Sequence, residues 1–147
     1  MTPRTLDWRS VRPKLRKIDE LLGLLEDFGQ VDAALLDTDT RTALAVERVL
    51  SLLVELAFSV NSHVAAARLQ QTPDSYAESF TLAARAGTIA PELARRLTPS
   101  AGMRNVLVHA YLDIDHEIVA AAVPRAIAEY AEYTRQVARW FSDLPQE

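Results

Sequence analysis

Cysteine is absent from this chain of 147 residues. Disulfide frameworks and thiolate metal sites are therefore excluded, and three His alone do not make a structural zinc centre. No metal or cofactor is expected. Long hydrophobic runs are missing too. Nowhere do 18 uncharged apolar residues stand together, so no contact with a membrane is expected. Residues 1–16 carry Arg4, Arg9, Arg12, Lys14 and Arg16 without an apolar stretch of signal-peptide length, and the expectation is a soluble, cytoplasmic protein. Lysine is scarce: only Lys14 and Lys17 stand among 16 basic residues. The other cations are arginines, which favour planar, bidentate contacts over point charges, although genomic base composition gives the same bias. Against 20 acidic residues the formal net charge is −4, so the molecule as a whole repels a polyanion and any nucleic-acid contact must be local.

What is present is apolar. With 49% hydrophobic and 24% charged residues the composition is that of a globular chain, and its length fits one domain, residues 1–147. Such a chain buries about two-thirds of its unfolded surface. Apolar residues recur at spacings of three and four and strand-like alternation is missing, which predicts an all-α, up-and-down helical bundle of about four to five main helices.

The first helix is expected after Asp7, with Val11, Leu15, Ile18, Leu21, Leu22 and Leu25 on one stripe and an end near Phe28 and Gly29. Asp37-Thr38-Asp39-Thr40 supplies N-caps for the longest helix, reaching about Leu69, with Leu44, Leu50, Leu53, Val54, Ala57, Val60 and Val64 as its buried face. Thr72-Pro73-Asp74 breaks the chain before a shorter helix from Tyr76 to Ala86, closed by Gly87. Thr88 to Leu97 is expected as a short helix. A separate one runs from Pro99 to about Tyr111, because Thr98 offers a capping hydroxyl directly before a proline. Asp115 caps the last helix, which reaches about Ser142 with a kink at Pro124.

Chemistry collects at Arg104, Asn105, His109 and Tyr111. At about 100° per residue Asn105 lies about 100°, His109 about 140° and Tyr111 about 340° around the helix from Arg104. Asn105 and His109 are an i, i+4 pair, while Met103, Val106, Leu107 and Ala110 fall on the other side, so the helix is expected to bury those and present Arg, Asn and His. An imidazole with an ordinary pKa near 6.5 can move a proton at a ribose 2′-hydroxyl or a 5′-leaving oxygen, and a guanidinium can stabilise a phosphorane. The plain alternative is a surface cation, a helix-surface asparagine and a satisfied histidine, because Arg-x4-His is short.

The run Arg104-Asn105-Val106-Leu107-Val108-His109-Ala110-Tyr111 resembles the Arg-x4-6-His signature of the HEPN superfamily in its HepT-like (DUF86) form. The resemblance spans nearly the whole chain. Arg41 and Thr42 to Arg48 are similar to the family's Arg-x-Ala-x-Glu-Arg stretch. Pro73 to Phe80 is similar to its Pro-x-x-Tyr-x-Glu-x-Phe segment, with Ala86-Gly87-Thr88-Ile89 and Leu112-Asp113-Ile114-Asp115 in the expected order. Met103 departs from the pattern, standing where an aromatic residue is common. The resemblance implies a homodimeric HEPN bundle in which the motifs of both subunits face one cleft. It implies a metal-independent RNase toxin leaving a 2′,3′-cyclic phosphate, with Arg104 and His109 catalytic and Asn105 supporting. It also implies a minimal nucleotidyltransferase antitoxin that adenylylates Tyr111, adding negative charge and bulk beside Arg104. Two copies answer a difficulty of the helix itself, since Arg104 and His109 of one copy diverge by about 140°. Arg48, Arg41 or Arg68 and His63 are candidates to line the same cleft. A non-catalytic nucleotide-binding or substrate-presenting partner of a nucleotidyltransferase is the alternative, and a structural dimerisation module a third reading.

The remaining residues have plainer readings. His63 is more often a core or interface histidine, and His116 a neighbour of the Asp115 cap. Asp113, Asp115 and Glu117 suit a solvated helix start better than Mg²⁺. Tyr130, Tyr133, Trp140 and Phe141 suit packing better than base stacking, and Tyr76 with Phe80 anchors the shorter helix. Glu47 and Arg48 either position the arginine through an ion pair or form a surface pair.

Overall fold

Short polar side chains start most of the helices. In the computed structural model, which describes residues 5–110 and 112–145, the elements are α1 (Trp8–Asp27), α2 (Ala33–Thr38), α3 (Thr40–Leu69), α4 (Tyr76–Ala86), α5 (Pro91–His109) and α6 (His116–Ser142), with no strand among the described residues. The carboxylates of Asp7, Asp32, Asp39 and Asp115 and the hydroxyl of Ser75 each accept a backbone N–H of the first turn that follows. Gly87 closes α4 at φ 94°, where a side chain would strain the backbone.

The 30-residue α3 is the axis of the bundle and packs against all five other helices. Val11, Leu15, Ile18, Leu21, Leu22 and Leu25 of α1 are all buried, as the stripe predicts, and join Leu50, Leu53, Val54, Ala57 and Val60 of α3 in one hydrophobic cluster. That cluster also takes Leu36, Phe80, Leu93, Leu97, Val123, Tyr130, Tyr133 and Val137. No helix among the described residues is long and apolar enough to cross a membrane.

Three expectations need correction. The two helices expected over Thr88–Leu97 and from Pro99 are one, α5, which begins at Pro91 and runs through Pro99. The Thr98 hydroxyl turns back to the Ala94 carbonyl at 2.8 Å instead of capping forward, and Ser100 bonds the Leu97 carbonyl at 2.6 Å. Leu93, Leu97 and Ala101 bury one face on both sides of the proline, so packing holds the helix through the lost N–H. Leu44 is 62% exposed, because Ala43 and Val46 take the buried face of the first turns of α3 and Leu44 lies off that face. The six-residue α2 falls where a cap alone was expected; Asp32 starts it and Asp39 begins α3.

Candidate active site

Arg104 sits in the fourth turn of α5, a helix covered by α3, α4 and α6. With buried flanks on more than one side, α5 does not present its arginine outward: the Arg104 side chain is only 14% exposed. This corrects the expectation that Arg104 shares an exposed face with Asn105 and His109. Its guanidinium lies over the Tyr76 ring at 4.5 Å from the centroid, and that ring in turn meets Phe58 edge-on at 4.8 Å.

The polar contacts of the guanidinium are long. Arg104 Nη2 lies 3.4 Å from Glu55 Oε1 and Nη1 donates to Asn105 Oδ1 at 3.4 Å, against about 2.7–2.9 Å for a strong charge-assisted bond. Nε is buried with no hydrogen-bond partner among the described residues. The two Nη donors are therefore only loosely engaged, whereas Nε is shut off from solvent.

Glu55 ties a second cation to the same place. Its Oε2 lies 3.4 Å from Arg48 Nη1, so one carboxylate bridges Arg48 and Arg104 across α3 and α5. Arg48 therefore stands beside Arg104, but its partner is Glu55 and not the adjacent Glu47. Burial pushes the Glu47 carboxyl up, opposed by His116 nearby. Sequence reasoning missed Glu55. Its only signal was the i, i+7 spacing to Arg48 on one helix, and nothing in spacing links it to Arg104 on another.

Asn105 and His109 are exposed, His109 forming the last residue of α5. Within one chain Asn105 touches the arginine, and His109 stands about one turn further along α5 from Asn105. Tyr111 lies outside the described residues; next to it in sequence, the Asp113 N–H donates to the Ala110 carbonyl at 3.0 Å. His63 is not brought to Arg104. Its Nε2 accepts the Asp7 N–H at 2.9 Å, about 12 Å along α3 from Glu55. His116 bonds Asp37 at 2.6 Å and so ties α6 to α2. Tyr130 and Tyr133 are fully buried, as packing residues should be.

On the other flank of α5 a groove of about 600 Å³ runs between α3, α5 and α6. Leu53, Met103, Val106, Ile118, Ala122 and Tyr130 are among its lining, and Asp113, Asp115 and Glu117 edge its mouth. Val106 at 47% and Ile118 at 57% are exposed here, and Leu112, 92% exposed, lies between α5 and α6. None of Arg104, Asn105 and His109 lines this groove.

Comparison with known proteins adds to this geometry. The sequence model of the family described as Ribonuclease HepT-like matches residues 18–137. A relative, the tRNA nuclease HepT of Aphanizomenon flos-aquae (strain 2012/KM1/D3), is 29% identical over 137 residues, covering 93% of this chain and 93% of the relative. Among solved structures, the tri-AMPylated HEPN toxin of Shewanella oneidensis in complex with MNT antitoxin superposes with a TM-score of 0.79 at 20% identity, over 91% of this chain and 99% of that one. The cytosolic protein of unknown function YutE from Bacillus subtilis does so with a TM-score of 0.81 at 16% identity, over 98% of each chain. At these identities the structures show a shared all-α fold.

Proposed function

Because the chain belongs to the HepT-like ribonuclease family, we propose that it is the RNase toxin of a toxin–antitoxin pair, acting in the cytoplasm on RNA. The observation that carries the reading is Arg104: a mostly buried guanidinium with an unpaired Nε and two loose contacts, about 7.5 Å along α5 from an exposed imidazole.

The chemistry follows from the groups present. One imidazole of His109 takes the 2′-hydroxyl proton as the 2′-oxygen bonds to phosphorus, an imidazolium returns a proton to the departing 5′-oxygen, and a 2′,3′-cyclic phosphate remains. Arg104 neutralises the charge that builds on the phosphorane oxygens, and Asn105 orients phosphate or imidazole. Side chains supply both acid–base steps and the charge, so the reaction needs no metal.

A homodimer supplies the second imidazole. Its support is physical: Val106 and Ile118 leave exposed apolar surface on the groove side of α5, of the kind a second copy covers. Two copies facing each other bring two guanidiniums and two imidazoles to one phosphate. Neutralisation by a nucleotidyltransferase antitoxin that adenylylates Tyr111 is supported by the Shewanella oneidensis toxin, which is tri-AMPylated and bound to an MNT antitoxin. Phosphates added two residues beyond His109 would compete with RNA for Arg104.

The test is cleavage of RNA by purified protein in EDTA. Wild type should cut and His109→Ala should not. Equal residual cleavage by both would remove the nuclease and leave a non-catalytic partner of a nucleotidyltransferase.

A further inference from the structure

Although the formal net charge is −4, the stretch from Trp8 to Ile18 contains five cations and no acid. These are Arg9, Arg12, Lys14, Arg16 and Lys17, on the first half of α1. The apolar stripe of that half, Val11, Leu15 and Ile18, is buried against the core, which leaves the opposite face outward. At about 100° per residue Arg9, Arg12 and Arg16 fall within about 60° of one another, spread over about 10 Å of helix. All three are exposed, and they edge a shallow concavity of about 360 Å³ beside Trp8 and Pro13, whose lining also includes Lys17 and one carboxylate, Glu20.

Their compensation is incomplete. Arg9 lies 3.6 Å from the Asp7 carboxylate and Lys17 lies 3.3 Å from Glu20, both solvent-exposed pairs of the kind a phosphate can displace. Arg12 and Arg16 have no ion pair among the described residues, within a protein whose acids outnumber its bases. Trp8, 38% exposed and leaning on Phe141 at 5.1 Å, ends the stripe with a ring on which a base can stack.

We propose that the Arg9–Arg12–Arg16 face of α1 is a second RNA-binding site, which holds the phosphate backbone of a folded RNA away from the point of cleavage. The proposal rests on the nuclease reading above and deepens it, because it selects among substrates. Among the described residues α1 packs against α3 and α6 and has no contact with α5. An RNA that touches both Arg104 and this stripe must therefore reach around the bundle, which a folded RNA does and a short oligonucleotide does not. Three arginines spread over about 10 Å of helix can each reach a phosphate of one RNA strand. A lipid surface fits less well, since the apolar face of α1 is spent on the core and has nothing to insert.

The experiment compares wild type with the triple variant Arg9→Gln/Arg12→Gln/Arg16→Gln. It uses a transfer-RNA transcript and a six-nucleotide single strand, with Kd measured across a salt series alongside kcat and KM. The variant should bind the transcript about tenfold more weakly, with the slope of log K against log salt reduced by about two to three and kcat on the transcript unchanged. Its kcat/KM on the short strand should equal that of wild type. Unchanged transcript Kd and slope would overturn the proposal, as would an equal loss on both RNAs. Loss of binding to phosphatidylserine vesicles with RNA binding intact would overturn it in favour of a membrane surface. If wild type cuts neither RNA the nuclease reading falls, while transcript Kd and slope still decide this one.

Discussion

Two polar clusters inside the bundle are built from similar parts and finished differently. Between α3, α4 and α6, Tyr133 donates to Asn61 at 2.6 Å, Asn61 donates to Ser79 at 3.2 Å, and Ser79 donates to the Tyr76 carbonyl at 2.7 Å. Tyr130 shares a 2.7 Å bond with Ser100 nearby. Around Arg104, one turn of α4 away, the contacts are 3.4 Å and Nε has no partner among the described residues. The first cluster satisfies its buried polar groups and so fixes how the helices pack. The second leaves a cation under-satisfied at the edge of the fold, which costs stability unless something outside the chain completes it. On the reading proposed above, the difference separates a polar core that serves folding from a cluster that serves a ligand.

The largest expected effect comes from removing the cation. Arg104→Ala should lower RNA cleavage by about 10²–10³-fold while leaving the thermal midpoint nearly unmoved; a large drop in the midpoint would place Arg104 with the structural cluster. The mirror experiment is Tyr133→Phe, which strands the Asn61 oxygen. It should cost about 1–3 kcal/mol in denaturant unfolding and leave turnover per folded molecule unchanged. Smaller again is Glu55→Ala, expected to lower kcat/KM about tenfold in wild type and to have no further effect in an Arg104→Ala background. An additive loss would separate Glu55 from the arginine.

The least visible effect is one of pH. Burial holds the Tyr130 and Tyr133 phenols well above their ordinary value of 10. Unfolded phenols ionise near 10 and these ionise later, so their contribution to stability is complete below pH 10 and is lost as pH rises beyond it. Phenolate absorbance from these two rings should appear only together with loss of near-ultraviolet circular dichroism.

Much of the bundle was legible in the sequence. The α1 stripe from Val11 to Leu25 and the caps at Asp39 and Asp115 are local signals, and local signals survive folding. Pro99 misled because a proline after a hydroxyl normally starts a helix, and only the packing of Leu93, Leu97 and Ala101 shows that this one lies inside α5. The candidate site was readable as a list and less so as an arrangement. Periodicity put Asn105 and His109 on an exposed face and Leu107 inside, as observed, but helical angle does not reveal which neighbours cover a helix, so the burial of Arg104 against Tyr76 and the exposure of Val106 and Ala110, expected to be buried, were lost. Glu55 needed tertiary structure, since the 49 residues that separate it from Arg104 carry no pattern.

The most direct test follows the Arg104 Nε–H by nuclear magnetic resonance in arginine-labelled protein, assigned by its loss in Arg104→Lys. The titrant is a 2′-O-methyl RNA that binds without being cut. If the guanidinium is held open for phosphate, its signal shifts and saturates with the same Kd as binding, while the Asn61 side-chain amide stays still. An Arg104 signal that does not move at full occupancy would contradict the account.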